Sequence, residues 1–149
     1  MNVHFICRGN VLRSLTAETY LRSLNLNNVK VVSSGTNVSN DDPTERQYFK
    51  NTLALLSRHN INHLAKDHSD QLTQNRIDGQ DITVCMNQKV VDEANAIVKL
   101  PNTVINWNIV DIGEAHRTKE SKRESYEEEI FQEITENVDK LVSTIEAYS

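Results

Sequence analysis

The sequence predicts an α/β domain, a parallel sheet with helices on both faces. Three observations predict it. Short apolar runs of strand length alternate with segments whose apolar residues recur every three or four positions. That alternation belongs to βαβ units, whose sheet is buried on both sides by its crossover helices. The 149 residues suffice for a single buried core, and no repeat, low-complexity segment or linker divides residues 1–149.

Val3 to Cys7 reads as a first buried strand. From Ser14 to Leu24 the spacing becomes helical, with Ala17, Tyr20, Leu21 and Leu24 on one face and Ser14 as the expected N-cap. Val29 to Ser33 is the second strand, and the polar stretch Ser34 to Asp42 is a loop. Asp42-Pro43-Thr44-Glu45 combines a capping side chain, proline in the first turn and a glutamate three residues after the cap. The helix it opens carries Tyr48, Phe49, Leu53, Leu55 and Leu56. Asp81 to Met86 is the third strand, followed by a helix to about Lys99, and Thr103 to Trp107 is the fourth. Tyr126, Ile130, Ile134, Val138, Leu141 and Ile145 mark a long final helix with Glu and Lys on its outer face. Its Glu127-Glu128-Glu129 run is expected to be exposed and favourably placed for the helix dipole.

Composition narrows the partners. With 38% hydrophobic and 25% charged residues the chain is an ordinary globular one, and its net charge of -5 speaks against nucleic acid or an anionic membrane as partner. No run approaches the roughly 20 apolar residues that span a bilayer, and the N-terminus lacks the basic leader and cleavage site of a signal peptide. Two cysteines are too few for a disulfide scaffold and suit a reducing compartment, so a cytoplasmic location is expected.

The chemistry concentrates in Cys7-Arg8-Gly9-Asn10-Val11-Leu12-Arg13-Ser14, between the first strand and first helix. A loop wound round an anion presents its backbone N–H groups inward, and the helix behind it adds a positive N-terminal end. Gly9 and Asn10 tolerate the left-handed backbone angles such a loop needs. Arg13 can grip two phosphate oxygens at once. The same electropositive cradle favours the thiolate of Cys7, the nucleophilic form. Ser14 can donate its hydroxyl to that sulfur and help it leave. Taken singly, a strand-ending cysteine is a small core residue and a helix-opening arginine a solvated charge. It is the combination of strand, Gly-Asn loop, serine and helix onset that points to phosphate. In open α/β sheets, sites lie beyond the carboxyl ends of the strands, where this loop falls.

This segment, preceded by Val-His-Phe-Ile and followed by Ala17-Glu18, resembles the signature of the low-molecular-weight protein tyrosine phosphatases. Val32-Ser33-Ser34-Gly35-Thr36 and Val84-Cys85-Met86 are similar to that family's second and third strands, so the resemblance covers essentially the whole chain. It implies a three-layer domain with a central four-stranded parallel sheet of order 2-1-3-4. It also implies metal-independent hydrolysis of phosphotyrosine, or of small aryl phosphate monoesters, through a phosphocysteine intermediate, with no cofactor. Cys7 would be the nucleophile, and Arg8, Gly9, Asn10, Val11, Leu12, Arg13 and Ser14 the phosphate site. Asn10 and Ser33 would brace the loop.

The general acid of that family is an aspartate followed by proline before the last helix, and the resemblance makes Asp111 the candidate, with Glu114 in reserve. Ile112 stands in place of the proline, and Gly113-Glu114 stand where aromatic residues often line the pocket. Leu12 replaces a second loop cysteine, which leaves Cys7 open to overoxidation. Leu15 replaces a proline, and Asn87 an aspartate.

Three alternatives stand beside this reading. Arsenate reductases of the same fold relay oxidation through two further cysteines; only Cys85 is present, so an external thiol would be needed. A branch that dephosphorylates arginine tends to carry threonine where this chain has Val11. A phosphate- or phosphoprotein-binding module with weak turnover is the third, motivated by the unusual Asp111-Ile112 pair. His59, His63 and His68 lie close in sequence but complete no zinc spacing and are expected to be solvated; no metal ligands are assigned.

Overall fold

The structure, a computed structural model, describes residues 1–109 and 122–147. Four strands, β1 (Asn2–Cys7), β2 (Lys30–Gly35), β3 (Ile82–Cys85) and β4 (Ile105–Asn106), form one parallel sheet in the order β2-β1-β3-β4. The helices are α1 (Arg13–Ser23), α2 (Pro43–Arg58), α3 (Gln74–Ile77), α4 (Gln88–Asn95) and α5 (Arg123–Ala147), with a 3₁₀ turn at Asn62–Leu64. Among the described residues no helix is long and apolar enough to cross a membrane.

Strand alternation sorts β1 onto two cores. Val3, Phe5 and Cys7 point to one face with Val84 and Met86, where Ala17 and Leu21 of α1 and Ile130, Ile134, Val138, Leu141 and Ile145 of α5 cover them. Ile6 and Cys85 point to the other face and pack on Leu72, Ile77, Val90 and Ala94. Cys7 and Cys85 therefore lie on opposite sides of the sheet. Leu55 and Leu56 of α2 meet Phe131 of α5 in a third, smaller cluster.

Several boundaries differ from expectation. The second strand runs on to Gly35, because it pairs with β1 along its whole length, ending at Cys7 opposite Gly35. The fourth strand shrinks to Ile105–Asn106, where Val84 and Cys85 of β3 pair with it at two positions. α4 stops at Asn95 and continues as turns. Asp42 caps α2 as expected, accepting from the N–H groups of Thr44 and Glu45. Asn87 caps α4 through the Val90 N–H, which is what asparagine does at that position.

The acidic run at the start of α5 is not a free surface. Glu127 is only 4% exposed, with carboxylate oxygens 3.7 Å from Arg58 and 3.8 Å from Arg123. Glu128 binds Arg58 at 2.9 Å and His59 at 2.7 Å. The C-terminal end of α2 brings Arg58 and His59 against α5, and His59 stacks on Phe131 with ring centroids 3.7 Å apart. His59 is thus a packed residue, and His68 is bonded to Asp67 and Asp70. Among the described residues, no group of three or more His, Cys, Asp or Glu side chains gathers at metal-binding spacing.

Candidate active site

Cys7 is the last residue of β1 and Arg13 the first of α1, so the loop between them sits at the carboxyl end of the central strands. The Cys7 side chain is buried, and two groups converge on its sulfur. The Ser14 hydroxyl lies 2.9 Å from Sγ, and the Asn10 backbone N–H donates to it at 3.2 Å. Ser14 was expected to cap α1. Instead Leu12 occupies the N-cap with no side-chain bond, and Ser14 lies one residue inside the helix with its hydroxyl turned to the sulfur. No side chain caps the first-turn N–H groups of α1, which leaves the helix end electropositive beside the loop.

Asn10 holds the loop's shape. It adopts a left-handed backbone, φ 56°, a conformation asparagine tolerates better than most residues. Its side-chain amide donates to Ser14 Oγ at 2.7 Å and to Ser33 Oγ at 2.8 Å, and its Oδ1 accepts the Asp70 N–H at 2.9 Å. Its carbonyl accepts from the Ser69 hydroxyl at 2.9 Å. Every polar group of a fully buried side chain is therefore satisfied, which a network in low dielectric requires.

Neighbouring segments clamp the loop from outside. The Thr36 and Asn37 N–H groups donate to the Cys7 and Arg8 carbonyls at 3.0 and 2.9 Å. The Thr52 hydroxyl of α2 contacts the Val11 carbonyl. Lys66 donates to the Ser33 carbonyl at 2.8 Å and to Asp70 at 3.0 Å. Burial pushes the Asp70 carboxyl up, but Lys66, Arg76 and His68 outweigh it and hold it below the usual carboxylate range. Asp70 is thus kept charged where its backbone N–H meets Asn10.

The open side of the loop is a cleft of about 230 Å³ lined by Cys7, Arg8, Gly9, Val11, Leu12 and Arg13. Arg13 is buried and donates to the Ile109 carbonyl at 3.0 Å, which fixes one edge of its guanidinium. Arg8 is half-exposed, its Nε 3.7 Å from Glu93. Asn37, Glu45 and Tyr48 complete the lining of the cleft.

Of the residues singled out from the sequence, the structure gathers Cys7, Arg8, Gly9, Val11, Leu12 and Arg13 on one cleft and places Asn10, Ser14 and Ser33 behind it. Asp111 and Glu114 lie outside the described residues. Sequence reasoning missed Glu45, Tyr48, Thr52, Lys66, Ser69 and Asp70. One signal was available: a buried Asn10 with two donors and one acceptor must find partners for all of them. Nothing in the chain's spacing says that residues 69–70 supply them.

Fold and loop together define a class: an α/β protein with a cysteine- and arginine-bearing loop at the carboxyl end of its first strand. The chain belongs to the low molecular weight phosphotyrosine protein phosphatase family, whose sequence profile matches residues 2–148. Solved structures share the fold. A low molecular weight phosphotyrosine phosphatase from Vibrio cholerae O395 is 20% identical, with 98% of this chain and 97% of that one aligned and a TM-score of 0.76. Vibrio vulnificus Wzb, solved with benzylphosphonate, is 17% identical over 96% and 97% of the two chains, with a TM-score of 0.74. YwlE arginine phosphatase from Geobacillus stearothermophilus is 18% identical over 99% and 97%, with a TM-score of 0.66. No curated protein sequence matches the chain.

Proposed function

We propose that the protein hydrolyses phosphotyrosine and small aryl phosphate monoesters in the cytoplasm, without a metal, by transferring the phosphoryl group to Cys7 and then to water. The observation that carries this reading is the convergence on one cleft of the Cys7 sulfur, with Ser14 Oγ at 2.9 Å and the Asn10 N–H at 3.2 Å, and of Arg13.

In the first step the Cys7 thiolate attacks phosphorus and the ester P–O bond breaks. The loop N–H groups, the N-terminal end of α1 and the Arg13 guanidinium hold the equatorial oxygens, where negative charge is concentrated. Asp111 supplies the proton to the departing phenolate oxygen. It stands two positions beyond Ile109, whose carbonyl is bonded to Arg13. In the second step Asp111 takes a proton from water, the oxygen attacks phosphorus, and the P–S bond breaks with its electron pair returning to sulfur. The Ser14 hydroxyl donates to the thiolate so released.

Val11, an apolar side chain in the cleft, favours an aryl group over a guanidinium. A relay through two further cysteines finds only Cys85 besides Cys7 in the sequence, which supports the hydrolytic reading. The test is hydrolysis of p-nitrophenyl phosphate at mildly acidic pH by freshly reduced protein in the presence of a chelator. Turnover should fall at least about a thousandfold in Cys7→Ser. Folded, reduced protein that binds phosphate but turns over no aryl phosphate would replace this reading with that of a binding module.

A further inference from the structure

We infer that Tyr48, on helix α2, is the specificity-determining residue of the cleft, the side chain on which the ring of an aryl phosphate stacks. The inference rests on the phosphatase reading of that cleft and names what selects its substrate.

Among the described residues lining the cleft, Tyr48 is the one aromatic side chain. It is 50% exposed, whereas Leu55 and Leu56 on the same helix are fully buried. Isolated exposed aromatics are common on protein surfaces, so exposure alone decides nothing; position does. The Tyr48 side chain makes no hydrogen bond or ring contact among the described residues, so its ring face is open to a ligand in the cleft. Its backbone, by contrast, is fixed. The Thr52 hydroxyl lies 3.1 Å from the Tyr48 carbonyl and also contacts the Val11 carbonyl. One buried hydroxyl thus ties the helical turn that carries Tyr48 to the loop that holds the phosphate.

The cleft consequently has two chemically distinct parts. The loop and Arg13 recognise the phosphoryl oxygens, which every phosphate monoester shares. Val11 from the loop and Tyr48 from α2 offer apolar surface from two elements joined through Thr52, and a flat ring gains from stacking on a tyrosine. The loop after β2, residues 37–41, contributes no aromatic side chain. Helix α2 supplies one instead.

The experiment compares binding of phenylphosphonate and inorganic phosphate to the wild type, Tyr48→Ala and Tyr48→Phe, with melting temperature checked for each. Neither ligand is hydrolysed, so this arm reads Tyr48 whether or not the protein proves to be a phosphatase. Tyr48→Ala should weaken phenylphosphonate about tenfold and change phosphate less than about twofold, and Tyr48→Phe should bind both as the wild type does. In turnover, Tyr48→Ala should raise KM for aryl phosphates with kcat little changed, and leave KM for ring-less acetyl phosphate as it was. Equal weakening of both ligands, or unchanged phenylphosphonate binding in Tyr48→Ala, would overturn the inference. Absence of wild-type turnover alongside Tyr48-dependent phenylphosphonate binding would sink the phosphatase reading and leave the stacking role standing.

Discussion

Asn10 and Ser33 are joined by a 2.8 Å hydrogen bond from the asparagine amide to the serine hydroxyl, which ties the loop after β1 to strand β2. The same amide reaches Ser14, the residue beside the Cys7 sulfur. Backbone angle and side-chain bonding are separable here. Asn10→Gly keeps easy access to the left-handed conformation and removes the bonds, whereas Asn10→Ala loses both. Turnover of aryl phosphate should fall at least about tenfold in the glycine variant and further in the alanine variant, with melting temperature falling in the same order. Wild-type turnover in Asn10→Gly would show that the loop keeps its shape without the network.

Gly35 is the β2 residue paired with Cys7. A Cβ there would lie 2.4 Å from the Arg8 carbonyl oxygen and 2.9 Å from the Asn10 nitrogen, both backbone atoms of the loop. Neither can move without reshaping the cradle. Gly35→Ala should cost about 2 kcal/mol or more in urea unfolding and should abolish measurable phosphate binding. Unimpaired binding would mean that strand and loop can separate freely.

His4 gives the fold a pH dependence. It is fully buried in β1, with Nε2 2.7 Å from Ser34 Oγ. Burial, with the positive charges of Arg76 and Lys66, lowers its pKa from 6.5 to about 4. The unfolded chain therefore takes up a proton near pH 6.5 that the folded chain refuses until about pH 4. The unfolded state holds more protons in that window, so stability is lost as pH falls through it, by about 2 kcal/mol at pH 5. Urea unfolding at pH 7.5 and 5.0 should show this loss in the wild type. His4→Asn, which cannot take up the proton, should lose correspondingly less; an identical loss in both would assign the effect to other groups.

Asp111 is proposed as the proton donor to the leaving group. Asp111→Asn should lower kcat about a hundredfold for a phenolate of high basicity and less for one that leaves readily. A uniform loss across leaving groups would point to a role other than proton transfer.

The strands, the major helices and the loop were legible because each writes a local pattern. Val3 to Cys7 alternates between two cores, α5 repeats every three or four residues, and Cys7 to Ser14 combines residue types that anion binding demands. The rest depended on contacts between distant segments. Ser14 has the composition of a cap, yet its hydroxyl serves Cys7, because the loop's curl, invisible in the spacing, points it there. Lys66 and Asp70 come from a stretch without periodicity and meet Ser33 and Asn10 only after the sheet has formed. Helix α2 could be drawn from its cap and its leucines, but which of its turns faces the cleft was set by Thr52 against Val11.

The most direct test of the account is to trap the intermediate. Protein mixed with a labelled aryl phosphate and quenched rapidly should carry the label on sulfur in the peptide containing Cys7, and the Cys7→Ser protein should carry no thiophosphate. Steady turnover with no label on Cys7, or with the label on another residue, would contradict the assignment of Cys7 as nucleophile.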